Sequence, residues 1–135
     1  MSLPRNRILR DRADFLRVRS AGQAKPGRFL LFTALRLEPP ANPAMASLAP
    51  ATEFGFITPK YVGKAHDRNL VRRRLRAIVR AHLRRLQSGY HVVLLARKRI
   101  SEAGYAELEA EFLRLAGKSG VLKPETHPSS QGGAP

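Results

Sequence analysis

Between Arg68 and Arg84 an arginine recurs every four residues, at 68, 72, 76, 80 and 84, and a second, apolar stripe runs beside it. Val71, Leu75, Ile78, Val79, His82 and Leu86 fall at i, i+4, i+7, i+8, i+11 and i+15, the spacing of one face of an α-helix. The pattern predicts a helix over 66–87, ended by Ser88-Gly89 with Gly89 as a left-handed cap. A helix with one apolar face must bury it against another layer, so the rest of the chain has to supply that layer. His82 lies on the apolar face and is read as a packed histidine.

The remaining segments provide the layer. Asp11 or Asp14 caps a first helix through Ser20, with Gly22 just past its end and with Phe15 and Val18 on one face. Residues 28–36 read as a strand, with Phe29, Leu31 and Thr33 on one side and Leu30, Phe32 and Ala34 on the other. Both sides are apolar, so both are expected to be covered. Residues 53–58 form a second strand that Pro59 cuts short. Residues 90–96 form a buried strand. Residues 101–116 form a last helix capped by Ser101, with Tyr105, Leu108, Phe112 and Leu115 on one face. The order is α-β-β-α-β-α, an α+β class, single-domain sandwich on a small sheet. Its strand–helix–strand unit is right-handed by the general rule. The domain is placed at 1–117, with 1–10 as an irregular basic arm. Pro39, Pro40, Pro43 and Pro50 mark 38–52 as a surface loop. The Ser-, Gly-, Pro- and Gln-rich 118–135 is read as a disordered tail.

Charge narrows the function. The chain carries 25 Lys and Arg against 10 Asp and Glu, a net of +15. No fold needs such an imbalance, because self-repulsion opposes compaction. A polyanion partner explains it, since binding releases that partner's counterions. Residues 1–88 hold 19 of the basic and 5 of the acidic side chains, so the excess belongs to the first two-thirds of the chain. In the segment 60–85 only Asp67 opposes Lys60, Lys64, Arg68, Arg72, Arg73, Arg74, Arg76, Arg80, Arg84 and Arg85. A merely solvated helix face mixes signs at i,i+4. An all-arginine stripe instead suits phosphate, which the guanidinium fork can engage bidentately. Composition does not separate RNA from DNA.

Other chemistries find no support. There is no cysteine, so neither disulfides nor thiolate metal sites can form. No unbroken apolar run follows the basic start, so no signal peptide is expected, and the longest apolar runs are far shorter than the roughly 20 residues of a membrane span. His66, His82, His91 and His127 are scattered, and Glu107, Glu109 and Glu111 alternate within a helix and read as solvated charges. No metal cluster and no nucleophilic or acid–base constellation is apparent.

The run Lys60-Tyr61-Val62-Gly63-Lys64-Ala65-His66-Asp67-Arg68-Asn69-Leu70-Val71-Arg72-Arg73-Arg74-Leu75-Arg76 resembles the signature of the bacterial ribonuclease P protein family, in which a Lys, a Gly and an Arg-Asn-Arg run open a long basic helix. Asp14-Phe15 with Val18 and Gly22 resembles that family's first helix. Phe29-Leu30-Leu31-Phe32 resembles its first strand, and Val92-Val93-Leu94-Leu95-Ala96-Arg97 its third strand and the basic turn after it. The resemblance spans about residues 3–122. Leu70, Tyr61, Arg19 and Pro59 depart from the family's usual Arg, Lys, aromatic and small polar residue.

The resemblance implies an accessory subunit of a ribonucleoprotein that removes the 5′ leader from precursor tRNA in the cytoplasm. It implies an unusual left-handed crossover around the basic helix. Lys60, Lys64, Arg68, Asn69, Arg72, Arg73, Arg76 and Arg80 would face the catalytic RNA. Phe15, Arg19, Phe32 and Lys60 would line a cleft for the single-stranded leader. Mg2+, held mainly by the RNA, would carry the chemistry; no protein partner and no membrane is implied. On site logic alone, Phe15 and Phe32 are either stacking platforms or core residues. Three other classes compete: a ribosomal or RNA-chaperone type binder, a major-groove DNA helix and an amphipathic helix on an anionic membrane. The first explains the charge but not the ordered resemblance. The second would offer more Asn, Gln and Ser to base edges, and the third would leave the apolar face without a core to cover it.

Overall fold

The computed structural model describes residues 3–38, 42, 44 and 49–124. Its helices are α1 (Arg12–Ala21), α2 (Ala65–Ala81) and α3 (Tyr105–Lys118), and its strands are β1 (Gln23–Pro26), β2 (Leu30–Arg36), β3 (Glu53–Ile57) and β4 (Tyr90–Ala96). The sheet order is β1-β2-β4-β3, antiparallel except for the parallel β3–β4 pair. The long helix α2 is thus the crossover between two adjacent parallel strands. The sheet is mixed and the class is α+β.

Strand alternation sorts side chains into two layers. Leu30, Phe32 and Ala34 of β2, Phe54 of β3 and Val92, Leu94 and Ala96 of β4 meet Leu75, Ile78 and Val79 of α2 and Leu108, Phe112 and Leu115 of α3 in one cluster. On the opposite face Val93, Leu35 and Ile57 pack with Leu9 and with Phe15 and Val18 of α1. β2 is therefore covered on both sides, as its two apolar faces require. The contact of α1 with the sheet is close: a Cβ on Gly55 would lie 2.4 Å from the Phe15 ring, so only glycine lets that ring settle on β3. The basic arm joins the sheet edge, with Ile8 bridging Phe54 and the Leu9 N–H donating to the Phe54 carbonyl at 2.8 Å.

Several expectations change. β1 was not foreseen, because Gln23-Ala24-Lys25-Pro26 has no β-branched or aromatic residue; it is an edge strand held by β2, a position that tolerates proline. The order is therefore α-β-β-β-α-β-α. α2 ends at Ala81 rather than 87. His82 leaves helical geometry (φ −114°, ψ 14°), a tight turn covers Leu83–Arg85, and Leu86 bridges Leu122. Gly89 does have positive φ (88°), but in the turn into β4 and not as a helix cap. α3 starts at Tyr105 rather than 101, because Ser101 lies in the turn Lys98–Glu102 and Glu107 receives the Gly104 N–H at 3.0 Å.

The domain also runs past 117. Val121 is fully buried, its carbonyl accepts from the Gln87 N–H (2.6 Å), and the Lys123 N–H donates to the Arg85 carbonyl (2.7 Å). The expected tail is thus wrong for 118–123, with Lys118 the last residue of α3, while 125–135 lies outside the described residues. Of the loop 38–52, residues 39–41, 43 and 45–48 also lie outside them. Its last part is docked: Pro50 accepts from the Gly89 N–H at 2.7 Å and Thr52 from the Tyr90 N–H at 3.1 Å.

Candidate nucleic-acid interface

The start of α2 is fixed by residues of the basic run itself. Lys60–Val62 form a tight turn, with Val62 buried and the Tyr61 hydroxyl donating to the Ala96 carbonyl at 3.0 Å. Gly63 follows at φ 148°, where a Cβ would lie 2.7 Å from a carboxylate oxygen of Asp67. Asp67 accepts the Lys64 N–H at 3.1 Å. The lone acid of the run is thus used to start the helix, where a negative charge also meets the positive end of the dipole.

Beyond that turn the arginines divide by role. Arg68, Arg72, Arg76 and Arg80 are half-buried along their stems, while Arg73, Lys60, Lys64 and Asn69 are exposed. The stripe lies over the end of β3. Arg76 places its guanidinium 5.7 Å from the centre of the Phe56 ring, and Arg72 donates to the Thr58 hydroxyl and to the Asn69 side-chain carbonyl. Arg74 turns away to the Ala103 carbonyl (3.4 Å). Arg84, the fifth member of the four-residue repeat, sits in the turn after the helix. Among the described residues none of Arg68, Arg72, Arg73 and Arg76 is paired with a carboxylate, and the Nε atoms of Arg68 and Arg76 are buried without a partner. The eight expected RNA-facing residues therefore share one turn and one helix.

The expected cleft residues are only partly brought together. Phe15 is half-buried on α1 against the sheet, and Arg19 is exposed on the same helix. Phe32 is on the other face. It is fully buried, its ring 5.9 Å from that of Phe112 beneath α3, and it cannot offer a face to a base. The strand's parity decides this, because the core takes Leu30, Phe32 and Ala34 and leaves Leu31 and Thr33 to the α1 side.

A groove of ≈ 610 Å³ opens on that α1 side. Leu31 and Leu95 lie in it with Tyr61, and Arg28, Arg97, Lys98 and Arg99 supply its charge. None of these was singled out as a cleft residue. The available signal was the alternation of β2 together with the Arg97-Lys98-Arg99 cluster that follows β4. Arg97 also donates to the carbonyl of Gly27, another residue of the groove lining (2.9 Å). Because Tyr61 belongs to the turn that opens α2, groove and stripe adjoin at Lys60–Tyr61.

The three glutamates of α3, read as solvated, are each engaged. Glu107 caps the helix. Glu109 lies 2.7 Å from His82 Nε2, which makes that histidine half of a polar link between α2 and α3 rather than an apolar core residue. Glu111 is buried and accepts the backbone N–H groups of Arg28 (2.7 Å), Phe29 and Leu30 (both 2.8 Å). Among the described residues no group of three or more His, Asp or Glu is placed to hold a metal ion, and no helix is long and apolar enough to cross a membrane.

An α+β sandwich whose longest helix presents a stripe of arginines beside a cationic groove, with Arg68, Arg72 and Arg76 lacking carboxylate partners among the described residues, is a nucleic-acid-binding protein. The ribonuclease P family model matches residues 3–120, and the chain belongs to that family of RNA-binding proteins. A "Ribonuclease P protein component" from Micrococcus luteus is 34% identical over 133 residues, covering 96% of this chain and 98% of the relative. One from Chloroflexus aggregans is 34% identical over 124 residues, covering 90% and 84%. In structure the chain is similar to the RNase P protein of Staphylococcus aureus, with a TM-score of 0.72, 16% identity and coverage of 87% of this chain and 98% of that one. It is also similar to the RNase P protein from Thermotoga maritima, with a TM-score of 0.67, 22% identity and coverage of 80% and 93%. These two likenesses bear on the fold.

Proposed function

We propose that this chain is the protein subunit of a ribonuclease P that matures the 5′ end of tRNA in the cytoplasm. α2 meets the catalytic RNA, and the groove beside α1 receives the single-stranded leader of precursor tRNA. The observation that carries this reading is the arginine stripe, without carboxylate partners at 68, 72, 73 and 76 among the described residues, joined to a cationic groove at Lys60–Tyr61. The two surfaces have different chemistry. The stripe offers guanidinium groups at one-turn spacing, suited to a structured phosphate backbone. The groove offers cations around an apolar floor and the Tyr61 ring, suited to a strand whose bases are splayed.

In this reading the RNA carries the catalysis, and the cations of the stripe and groove serve binding. Mg2+ would supply charge stabilisation for phosphodiester cleavage when bound. The residues here do not fit that ion, because both surfaces present N–H donors and cations rather than carboxylates, so its ligands belong to the RNA. The protein contributes positive charge that lowers the repulsion between two RNAs.

Reconstitution with a bacterial ribonuclease P RNA tests this reading. The chain is expected to lower the Mg2+ concentration needed for leader removal and to cleave nothing alone. Cleavage by RNA-free protein, or no change in the Mg2+ requirement, counts against it.

A second expectation concerns Phe15. Phe15→Ala should weaken holoenzyme binding of precursor tRNA by about 1–3 kcal/mol if a leader base stacks there, and should leave mature tRNA binding nearly unchanged. Loss of the ring also opens a cavity against Val18 and Val93, so the melting temperature is measured beside the affinities. A constant precursor-to-mature ratio in folded protein assigns Phe15 to packing alone.

A further inference from the structure

Arg72 is held from two sides. Its Nη1 donates to Thr58 Oγ1 and its Nη2 to Asn69 Oδ1. Thr58 is buried and follows the last residue of β3, on the face that Phe54 and Phe56 turn toward α2. Its hydroxyl is well fixed for physical reasons. Pro59 confines the preceding residue to extended backbone, and a β-branched side chain has few χ1 choices. Asn69 stands one turn before Arg72 on the same helix, the spacing at which side chains meet. A guanidinium has five N–H donors. Two are used here, which leaves three for another acceptor. The neighbours one turn either side differ, since Arg68 and Arg76 keep buried Nε atoms without partners.

We propose that Thr58 and Asn69 are positioning residues that set Arg72 as a pre-ordered phosphate fork on α2. An arginine free in solution loses rotamer freedom when it engages RNA, whereas one already clamped has lost it on folding. Thr58 is too buried to touch RNA itself, so its influence runs through Arg72. The proposal rests on α2 being the RNA-facing surface, and the test separates the two ideas.

Affinity for a bacterial ribonuclease P RNA is measured against salt concentration for wild type, Thr58→Val, Thr58→Ser, Arg72→Ala and the Thr58→Val/Arg72→Ala double variant, with melting temperatures alongside. Thr58→Val removes the acceptor at nearly constant shape. It is expected to weaken binding about two- to tenfold with an unchanged salt slope, because the phosphate contact survives at a higher ordering cost. Thr58→Ser keeps the hydroxyl and should bind like wild type. Arg72→Ala should lower the slope by about 0.7–0.9. In that background Thr58→Val should cost nothing more. If Thr58→Val binds like wild type, or weakens binding equally with and without Arg72, the positioning role is overturned while the RNA face stands. If Arg72→Ala changes neither affinity nor slope, the assignment of α2 falls first.

Discussion

Glu111→Ala is expected to destabilise the protein by about 3–5 kcal/mol, more than any single surface change. The carboxylate receives three successive backbone N–H groups, from Arg28, Phe29 and Leu30. Arg28 and Phe29 precede β2 and Leu30 is its first residue, so these N–H groups sit at the strand's start, where the carboxylate takes all three. A buried donor left without a partner costs about 1–3 kcal/mol, and bonds to a charged acceptor are at the strong end. Three such losses exceed the estimate, but removing the carboxylate also removes its own desolvation cost, which offsets part. Arg114, 3.7 Å away and half exposed, adds little. For a domain of this size the loss is a drop of roughly 10–20 °C in melting temperature, readable by calorimetry. Glu111→Gln should fall between, because an amide accepts at one atom but turns a donor toward the others. A drop of only a few degrees for Glu111→Ala would mean that water replaces the carboxylate. Function should feel the change too, since Arg28 and Leu31 line the groove and their strand would lose its anchor.

Glu111 also shows where the sequence stops being legible. Alternating Glu107, Glu109 and Glu111 on a helix look like solvent-facing charge, because the partner of a buried carboxylate can be backbone, and backbone carries no sequence signal. α2 was readable because its apolar period repeats over enough residues to exclude a strand, and β2 and β4 because each is a short apolar run bounded by turn signals. β1 was not, because four residues with no β-branched or aromatic side chain, ending in proline, form a strand only when β2 offers them an edge. Phe32 was misplaced for a similar reason. Its strand has apolar residues on both faces, and periodicity says which residues share a face but not which face meets α3. The resemblance located the basic helix but not the division of its arginines. That Arg72 is clamped by Thr58, that Arg76 rests on Phe56 and that Arg74 leaves for the Ala103 carbonyl all depend on how α2 lies over β3. The segment 119–123 escaped because it is held by backbone bonds to residues 85–87 around one buried valine.

Replacing Arg68, Arg72 and Arg76 together with alanine should cost the largest share of RNA affinity. Each phosphate contact contributes about 0.7–0.9 to the slope of log affinity against log salt, so three contribute about 2–3. Read at about 0.1 M salt, the same counterion term is worth a loss of roughly 10²–10³-fold. The fold should survive. Alanine is the best helix former, and removing like charges at i,i+4 relieves about 0.2–0.5 kcal/mol a pair. Against this stand the stems of Arg72 and Arg76 over Thr58 and Phe56, which cover part of the end of β3. These terms are small and of opposite sign, so the melting temperature should move little while binding collapses. Lys118→Ala, an exposed cation at the end of α3, controls for net charge. It removes one charge from the long-range field without touching the stripe, and its slope should stay near that of wild type. If the triple variant keeps the wild-type slope, the stripe is a solvated face after all. RNA affinity would then rest on the groove cations Arg28, Arg97, Lys98 and Arg99, and the same salt titration on their variants would find the missing contacts.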